Sequence, residues 1–240
     1  MKVFILAGGL GVRLRPLTDN LPKVMIKVGG KPVLEHLINL CRHHGLTEII
    51  LSTHYMQDKI KSYFKDGKKF KVHLDYSHEK EMLGSAGAIK LAAAYLKNDN
   101  FFVLNGDVMT NVDLTKMIEF HYQRQALGTV LIHKTDHPYD SDLVEVDKNN
   151  RLIRFFRPCL KDKTNFKPLA KTGTHIFNQQ ILNFIPSGCF YSLEKDLIPE
   201  LIKQDQSLYA FYSNCYSKDM GTLERLKQVR QDYERNKISF

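Results

Sequence analysis

The first 135 residues alternate short apolar runs with helical patterns, and this alternation constrains the fold more than any other feature of the chain. Strand–helix–strand order builds βαβ units and therefore a mostly parallel sheet covered on both faces. Lys2 to Ala7 reads as a buried strand. Pro32 opens a helix whose Val33, Leu34, Leu37, Ile38 and Cys41 share one face, and Gly45 closes it. Further strands are predicted at Glu48 to Thr53, Lys71 to Ser77, Phe101 to Leu104 and Thr129 to Lys134. Helices are predicted over Met56 to Phe64, over the Ala-rich Ser85 to Leu96, and from Asp113 onward. The second half is different. Asp142 to Asp147 and Arg151 to Phe156 flank Lys148-Asn149-Asn150, which predicts a hairpin leaving the main sheet. Strands follow at Lys171 to Phe177, Leu208 to Ser213 and Tyr216 to Asp219. Helices follow at Gln179 to Ile185, at Leu193 to Lys203 with Pro199 interrupting it, and from Thr222 to about Asn236. No linker, repeat or low-complexity stretch divides the chain. The expected class is α/β: a Rossmann-like, doubly wound, mostly parallel mixed sheet in one domain, residues 1–240, with a C-terminal lobe.

Composition narrows the classes of function. Hydrophobic residues at 43% and charged residues at 25% exclude a disordered chain and a coiled coil. No apolar run approaches the ~18 residues of a membrane span. Val3 to Ala7 is shorter than the roughly 7–15 residues of a secretory core. Cys41, Cys159, Cys189 and Cys215 form no C-x-x-C pair, which disfavours a zinc ribbon or a redox dithiol. Scattered cysteines suit a reducing compartment, so the expected location is cytoplasmic. A net charge of +9 favours acidic partners, either nucleic acid or a small polyphosphate. The basic residues are spread along the chain without a nucleic-acid-binding signature, so neither nucleic acid nor a membrane is the expected partner.

Residues 7–13 read Ala-Gly-Gly-Leu-Gly-Val-Arg directly after the first strand. Glycines there let backbone N–H groups approach an anion closely. The run is not the dinucleotide fingerprint, because position 14 is Leu14 and not glycine, which disfavours a dehydrogenase. It is not a P-loop either. Arg13 follows the last glycine, and Pro22-Lys23 places a second cation ten residues on. Arg13 with its fork and Lys23 as a point charge could clamp a polyphosphate. The competing reading of Lys23 is a solvated loop residue.

Leu6-Ala7-Gly8-Gly9-Leu10-Gly11-Val12-Arg13-Leu14, with Pro16-Leu17-Thr18 and Pro22-Lys23, resembles the signature of the sugar-1-phosphate nucleotidylyltransferases. The resemblance continues in Leu83-Gly84-Ser85-Ala86-Gly87, Asn105-Gly106-Asp107 and Lys218-Asp219-Met220-Gly221-Thr222. It implies transfer of a nucleoside monophosphate to a sugar 1-phosphate with release of pyrophosphate, with residues 1–135 holding the nucleotide and 136–240 the sugar. Such a transfer is catalysed mainly by positioning and cationic stabilisation. The resemblance assigns Arg13 to the leaving phosphates and Lys23 to the reacting phosphate. It assigns Leu6, Ala7, Gly8, Gly9, Gly11, Gly84, Ser85 and Asp107 to the nucleotide, and Gly106, Thr172, Gly173 and Glu194 to the sugar phosphate. Asp107 ends a strand where parallel sheets bind ligands. With Asp219 it is expected to hold Mg²⁺, which prefers oxygen ligands.

Glu81 lies where relatives place a side chain that reads the base. A carboxylate accepts both N1–H and N2–H of guanine, which favours GTP, although Glu79 competes for this assignment. The nearest resemblance within the family is to short bacterial guanylyltransferases acting on D-glycero-D-manno-heptose 1-phosphate, with mannose 1-phosphate second. A longer relative's extra C-terminal domain is not expected. Phe156-Arg157-Pro158 stands where many relatives have Glu-Lys-Pro, so Arg157 takes the place of a phosphate-gripping lysine. Lys171-Thr172-Gly173 stands for Asn-Ala-Gly. Ser192 reads equally as a helix cap beside Glu194. A homodimer is left open. The alternatives are a thymidylyl-, uridylyl- or cytidylyltransferase of the same fold, or a nucleotide-sugar sensor that does not turn over.

Overall fold

The structure is a computed structural model that describes residues 1–135, 137–158 and 167–238. In chain order the strands are β1 (Lys2–Leu6), β2 (Lys27–Val28), β3 (Lys31–Pro32), β4 (Glu48–Thr53), β5 (His73–His78), β6 (Phe101–Asn105), β7 (Val108–Thr110), β8 (Gly128–Lys134), β9 (Leu143–Val146), β10 (Leu152–Phe156), β11 (Leu169–Phe177), β12 (Leu208–Tyr212) and β13 (Ser217–Asp219). The helices are α1 (Val33–His43), α2 (Gln57–Phe64), α3 (Gly84–Leu91), α4 (Ala93–Leu96), α5 (Leu114–Gln123), α6 (Ile198–Lys203) and α7 (Leu223–Glu234). No helix among the described residues is long and apolar enough to cross a membrane.

One mixed sheet runs β10-β9-β11-β6-β1-β4-β5, with β8 also paired to β11 and β12 paired to β8. The alternating first half produces the expected parallel block, β6-β1-β4-β5. β1 is apolar from Val3 to Leu6 because both its faces are covered. Val3 and Ile5 pack with Leu34, Leu37, Ile38 and Cys41 of α1 on one face. Phe4, pointing the other way, packs with Ala86 and Ile89 of α3. β11 then enters antiparallel beside β6, so β8 joins the sheet only across β11.

The hairpin of β9 and β10 does not leave the sheet as its sequence suggests. β11 is nine residues long, and its N-terminal part extends past β6 to bridge Ala170 to Leu143. The hairpin therefore prolongs the sheet edge. The predicted helix from Ser85 to Leu96 is split at Ala92 into α3 and α4. The predicted helix from Leu193 to Lys203 is a π-helical turn, Leu193–Leu197, followed by α6 with Pro199 in its first turn. The segment from Gln179 to Phe184 is a 3₁₀ helix. Cys159 lies outside the described residues.

A small separate core positions the site. Leu14, Ile26, Val28, Val33, Met109, Met220, Leu226 and Val229 pack together. Leu14 and Met220 are fully buried there, each contributing about 2–3 kcal/mol of transfer free energy. Leu14 follows Arg13 in the chain and Met220 follows Asp219. Packing of two apolar side chains thus ties the glycine-rich loop to the C-terminal segment.

Candidate active site

The loop after β1 forms because its glycines permit what other residues do not. Gly11 has φ +64°, and a Cβ there would stand 2.8 Å from the Thr18 methyl group. Thr18 Oγ1 donates to the Gly11 carbonyl at 2.9 Å, closing the loop. Arg13 sits in the 3₁₀ turn Val12–Leu14 that follows, exposed, with no carboxylate partner among the described residues. The Ala7 N–H is not offered to the cavity. It donates to the Ser52 carbonyl at 2.9 Å, continuing the ladder with β4.

Two cavities meet at the C-terminal ends of β1 and β6, the place where open parallel sheets bind ligands. The first, about 420 Å³, is lined by the loop glycines Gly8, Gly9 and Gly11, with Leu6, Arg13, Lys23, Gly84, Ser85 and Asp107. The second, about 410 Å³, is lined by Asp107, Arg157, Thr172, Gly173, Asp219 and Arg225, among others. Arg13, Asn105, Asp107 and Glu194 lie on the walls of both. Lys23 and Asp107 form an ion pair where the two join, with side chains 13% and 24% exposed. Lys23 is therefore a partly buried cleft residue rather than a solvated one.

The end of β6 is set by close backbone approach. The Gly106 N–H donates to the Leu6 carbonyl at 2.9 Å, and a Cβ at Gly106 would stand 2.6 Å from that oxygen. Gly106 thus lies beneath the cavities rather than on their walls, and it fixes where Asp107 emerges. β13 pairs antiparallel with β7, Asp219 opposite Val108, and the Met220 N–H donates to the Asp107 carbonyl at 3.0 Å. Residues 107 and 219 are therefore neighbours across a two-stranded ribbon, and both side chains reach the second cavity.

Glu81 is exposed and does not line either cavity. Of the two glutamates, Glu79 is the one that lines the first cavity, and it is 6% exposed. It accepts from the Ser52 hydroxyl at 2.6 Å and from the Leu83 N–H at 3.2 Å. Gly84 has φ +72°, and a Cβ would strike the Tyr191 carbonyl at 2.7 Å. That carbonyl accepts the Ala86 and Gly87 N–H groups, so the first turn of α3 is already capped from within the fold.

In the second cavity Arg157 pairs with Asp142 at 3.1 Å. The Thr172 hydroxyl is buried and has no hydrogen-bond partner among the described residues. Gly173 brings β11 against Asn105, whose Cβ would lie 2.5 Å from a Cβ at residue 173. Glu194 accepts from Lys171 Nζ, from Ser85 Oγ at 3.1 Å and from Ser192 Oγ at 3.1 Å. Burial pushes the Glu194 carboxyl up, but the Lys171 ammonium outweighs it and holds it at about 2. Ser192 also caps the π-helical turn through the Glu194 and Lys195 N–H groups. Asn105 and Lys171 stand in the quoted motifs without a role of their own, and Asp142 and Arg225 lie outside every motif. Their roles come from register across distant strands, which leaves no local spacing to read.

At the C-terminal ends of β1 and β6, inside an α/β sheet, the cleft thus joins an exposed arginine and a lysine to carboxylates at the junction and hydroxyl-bearing walls beyond. The chain belongs to the nucleotidyl transferase family, whose profile matches residues 2–236. It is 33% identical over 235 residues to a UTP–glucose-1-phosphate uridylyltransferase of Synechocystis, covering 92% of this chain and 60% of that one. It is 32% identical over 223 residues to a mannose-1-phosphate guanylyltransferase of Mycobacterium tuberculosis, covering 92% and 61%. The chain thus spans about three fifths of the length of these relatives. HddC from Yersinia pseudotuberculosis superposes with a TM-score of 0.83 at 27% identity, covering 97% of this chain and 99% of HddC. A complex of HddC with GMP-PN gives a TM-score of 0.80.

Proposed function

We propose that the protein transfers a nucleoside monophosphate from a nucleoside triphosphate to a sugar 1-phosphate, releasing pyrophosphate. The observation that carries this reading is the junction: Arg13, Asn105, Asp107 and Glu194 border both cavities. Two phosphorylated ligands in adjacent cavities would meet there. The glycine-rich cavity takes the triphosphate and the β11 cavity takes the sugar phosphate. An oxygen of the sugar phosphate attacks the α-phosphorus, forming a new P–O bond. The bond to the bridging oxygen breaks, and its electron pair leaves on pyrophosphate. Arg13, which has no carboxylate partner among the described residues, stabilises the leaving phosphates. Lys23 lies against the reacting phosphate. No covalent nucleophile is required.

Among the described residues no cluster of three or more histidine, cysteine or acidic side chains is arranged to hold a metal. The protein nevertheless offers two hard carboxylates, Asp107 and Asp219, on one cavity wall. That donor set fits Mg²⁺, which is commonly held by one or two carboxylates with phosphate oxygens and waters completing its shell. When bound, Mg²⁺ supplies charge neutralisation on the phosphates. Arg157 and Thr172 are the proposed contacts to the sugar phosphate and a sugar hydroxyl, Gly173 gives them room, and Glu194 receives the sugar from the junction.

GTP is the proposed nucleotide. HddC, matched along nearly its whole length, has been solved with GMP-PN. The base-reading carboxylate is reassigned from Glu81 to Glu79, which keeps spare lone pairs after its two internal bonds. D-glycero-D-manno-heptose 1-phosphate is the proposed acceptor on the resemblance noted in the sequence, and mannose 1-phosphate is second. The Synechocystis relative favours a UTP reading as the competitor. A panel of sugar 1-phosphates with each of five triphosphates and Mg²⁺, read by mass spectrometry, tests both choices. GDP-heptose as the main product is expected; a main product carrying uracil would replace the guanine reading.

A further inference from the structure

Asp219 does not reach the cavity as a bare carboxylate. Arg225 Nη1 donates to Oδ1 at 3.0 Å and to Oδ2 at 2.8 Å, and the Gly221 N–H donates to Oδ1 at 2.8 Å. Arg225 has a second partner, because its Nη2 donates to Asp140 on the 3₁₀ turn Pro138–Asp140. Its backbone is fixed: Thr222 Oγ1 caps α7 by accepting the Arg225 N–H at 3.2 Å. Asp107 is matched in the same way by Lys23. Each carboxylate that would face a metal is thus neutralised by a side-chain cation. Arg225 alone also holds a carboxylate away from the proposed metal pair.

We propose that Arg225 is a counter-ion latch: it balances Asp219 when no divalent cation is present, and keeps Asp140 alone when a divalent cation takes Asp219. The inference rests on the reading of Asp107 and Asp219 as metal ligands. Arg225 is a positioning residue, and it sets how strongly the site competes for metal. Because Asp140 remains as its partner, releasing Asp219 does not leave the guanidinium unpaired. An arginine with Asp219 as its sole partner would compete harder for that carboxylate.

The test titrates the full chain with Mn²⁺ alone, reading free Mn²⁺ by electron paramagnetic resonance. The wild type is compared with Asp219→Asn, Arg225→Met, Asp140→Asn and the Arg225→Met/Asp140→Asn double variant. Asp219→Asn is expected to weaken binding at least tenfold. Arg225→Met is expected to tighten it about fivefold, the scale of a partly exposed ion pair. Asp140→Asn is expected to weaken it about twofold, and this effect should vanish in the Arg225→Met background, because it acts through the arginine. Should Arg225→Met fail to fold, Arg225→Lys, which loses the fork but keeps the charge, is expected to tighten binding to a smaller extent. Unchanged Mn²⁺ binding in Asp219→Asn would overturn the metal reading itself. Weakened binding there, with no tightening in the Arg225 variants, would overturn the latch alone. So would additive effects in the double variant, which would mean that only through-space charge is at work.

Discussion

At the scale of single residues, Lys23 and Asp107 are the pair on which the chemistry turns. They stand 84 positions apart in sequence and touch where the two cavities meet. Asp107→Asn keeps the shape of the side chain and removes its charge. Turnover is expected to fall by about 10²–10³-fold, the usual effect of losing one electrostatic contact at a reacting centre. The melting temperature should stay within a few degrees. Steady-state kinetics beside a thermal melt checks both, and wild-type turnover in this variant would remove Asp107 from the mechanism. Gly173→Ala makes a different prediction. A Cβ there collides with Asn105, which borders both cavities, so KM for the sugar phosphate should rise at least tenfold while nucleotide affinity, measured by calorimetry, falls by less. The residues of the glycine-rich loop were legible in the sequence because their spacing is local. The choice between Glu79 and Glu81 was not. The Glu79 N–H bonds the Thr53 carbonyl at 2.9 Å, extending the β4–β5 ladder by one step, and this carries the side chain over Ser52. Glu81 falls in the bend beyond, facing solvent. Two residues of the same type, two apart, are separated only by where a ladder ends.

At the scale of elements, the site depends on the small core beneath it. Leu14 and Met220 are both fully buried in one cluster with Met109 and Leu226. Leu14→Ala or Met220→Ala is expected to cost about 2–5 kcal/mol in urea unfolding. Turnover should fall further than the loss of folded protein explains, because Arg13 and Asp219 lose their common anchor. Turnover per folded molecule equal to wild type would show that this core does not position the site. The parallel block was legible because β1, β4 and β6 are apolar on both faces, and the helices between them carry one apolar stripe. The β9–β10 hairpin was legible as a hairpin, but not as an extension of the sheet. That placement depends on β11 outrunning β6, and strand length relative to a distant partner leaves no mark in either sequence. The split of the Ala-rich helix at Ala92 is hidden for the converse reason: the residues around the break, Lys90 to Ala94, all favour helix, so local propensity gives no sign of it.

At the scale of the whole molecule, three histidines are buried, and burial lowers His36 as well as the two with the largest shifts, His121 and His175. Burial lowers His121 from 6.5 to about 4. Burial, aided by the Lys171 ammonium, lowers His175 from 6.5 to about 3. Both therefore stay neutral in the fold, while the unfolded chain protonates them near pH 6.5. Their contribution is complete above that pH and is lost as pH falls toward 4 and then 3. The slope is about 1.4 kcal/mol per pH unit for each histidine. Glu194 adds to the loss only below about 4.5, as pH falls toward its folded value of about 2. Urea unfolding at pH 7.5, 6 and 5 should show this decline, and His121→Gln should make it shallower by one proton. Equal stability at pH 7.5 and 5 would contradict the burial argument.

The central claim is that the two cavities bring a nucleotide's α-phosphorus against a sugar phosphate. Incubating the protein with Mg²⁺, D-glycero-D-manno-heptose 1-phosphate, and GTP labelled with ³²P at either the α or the γ position tests it directly. Label from the α position is expected in the sugar nucleotide, and label from the γ position in pyrophosphate. Label from the γ position on the sugar, or no transfer from any triphosphate to any sugar 1-phosphate, would contradict the account.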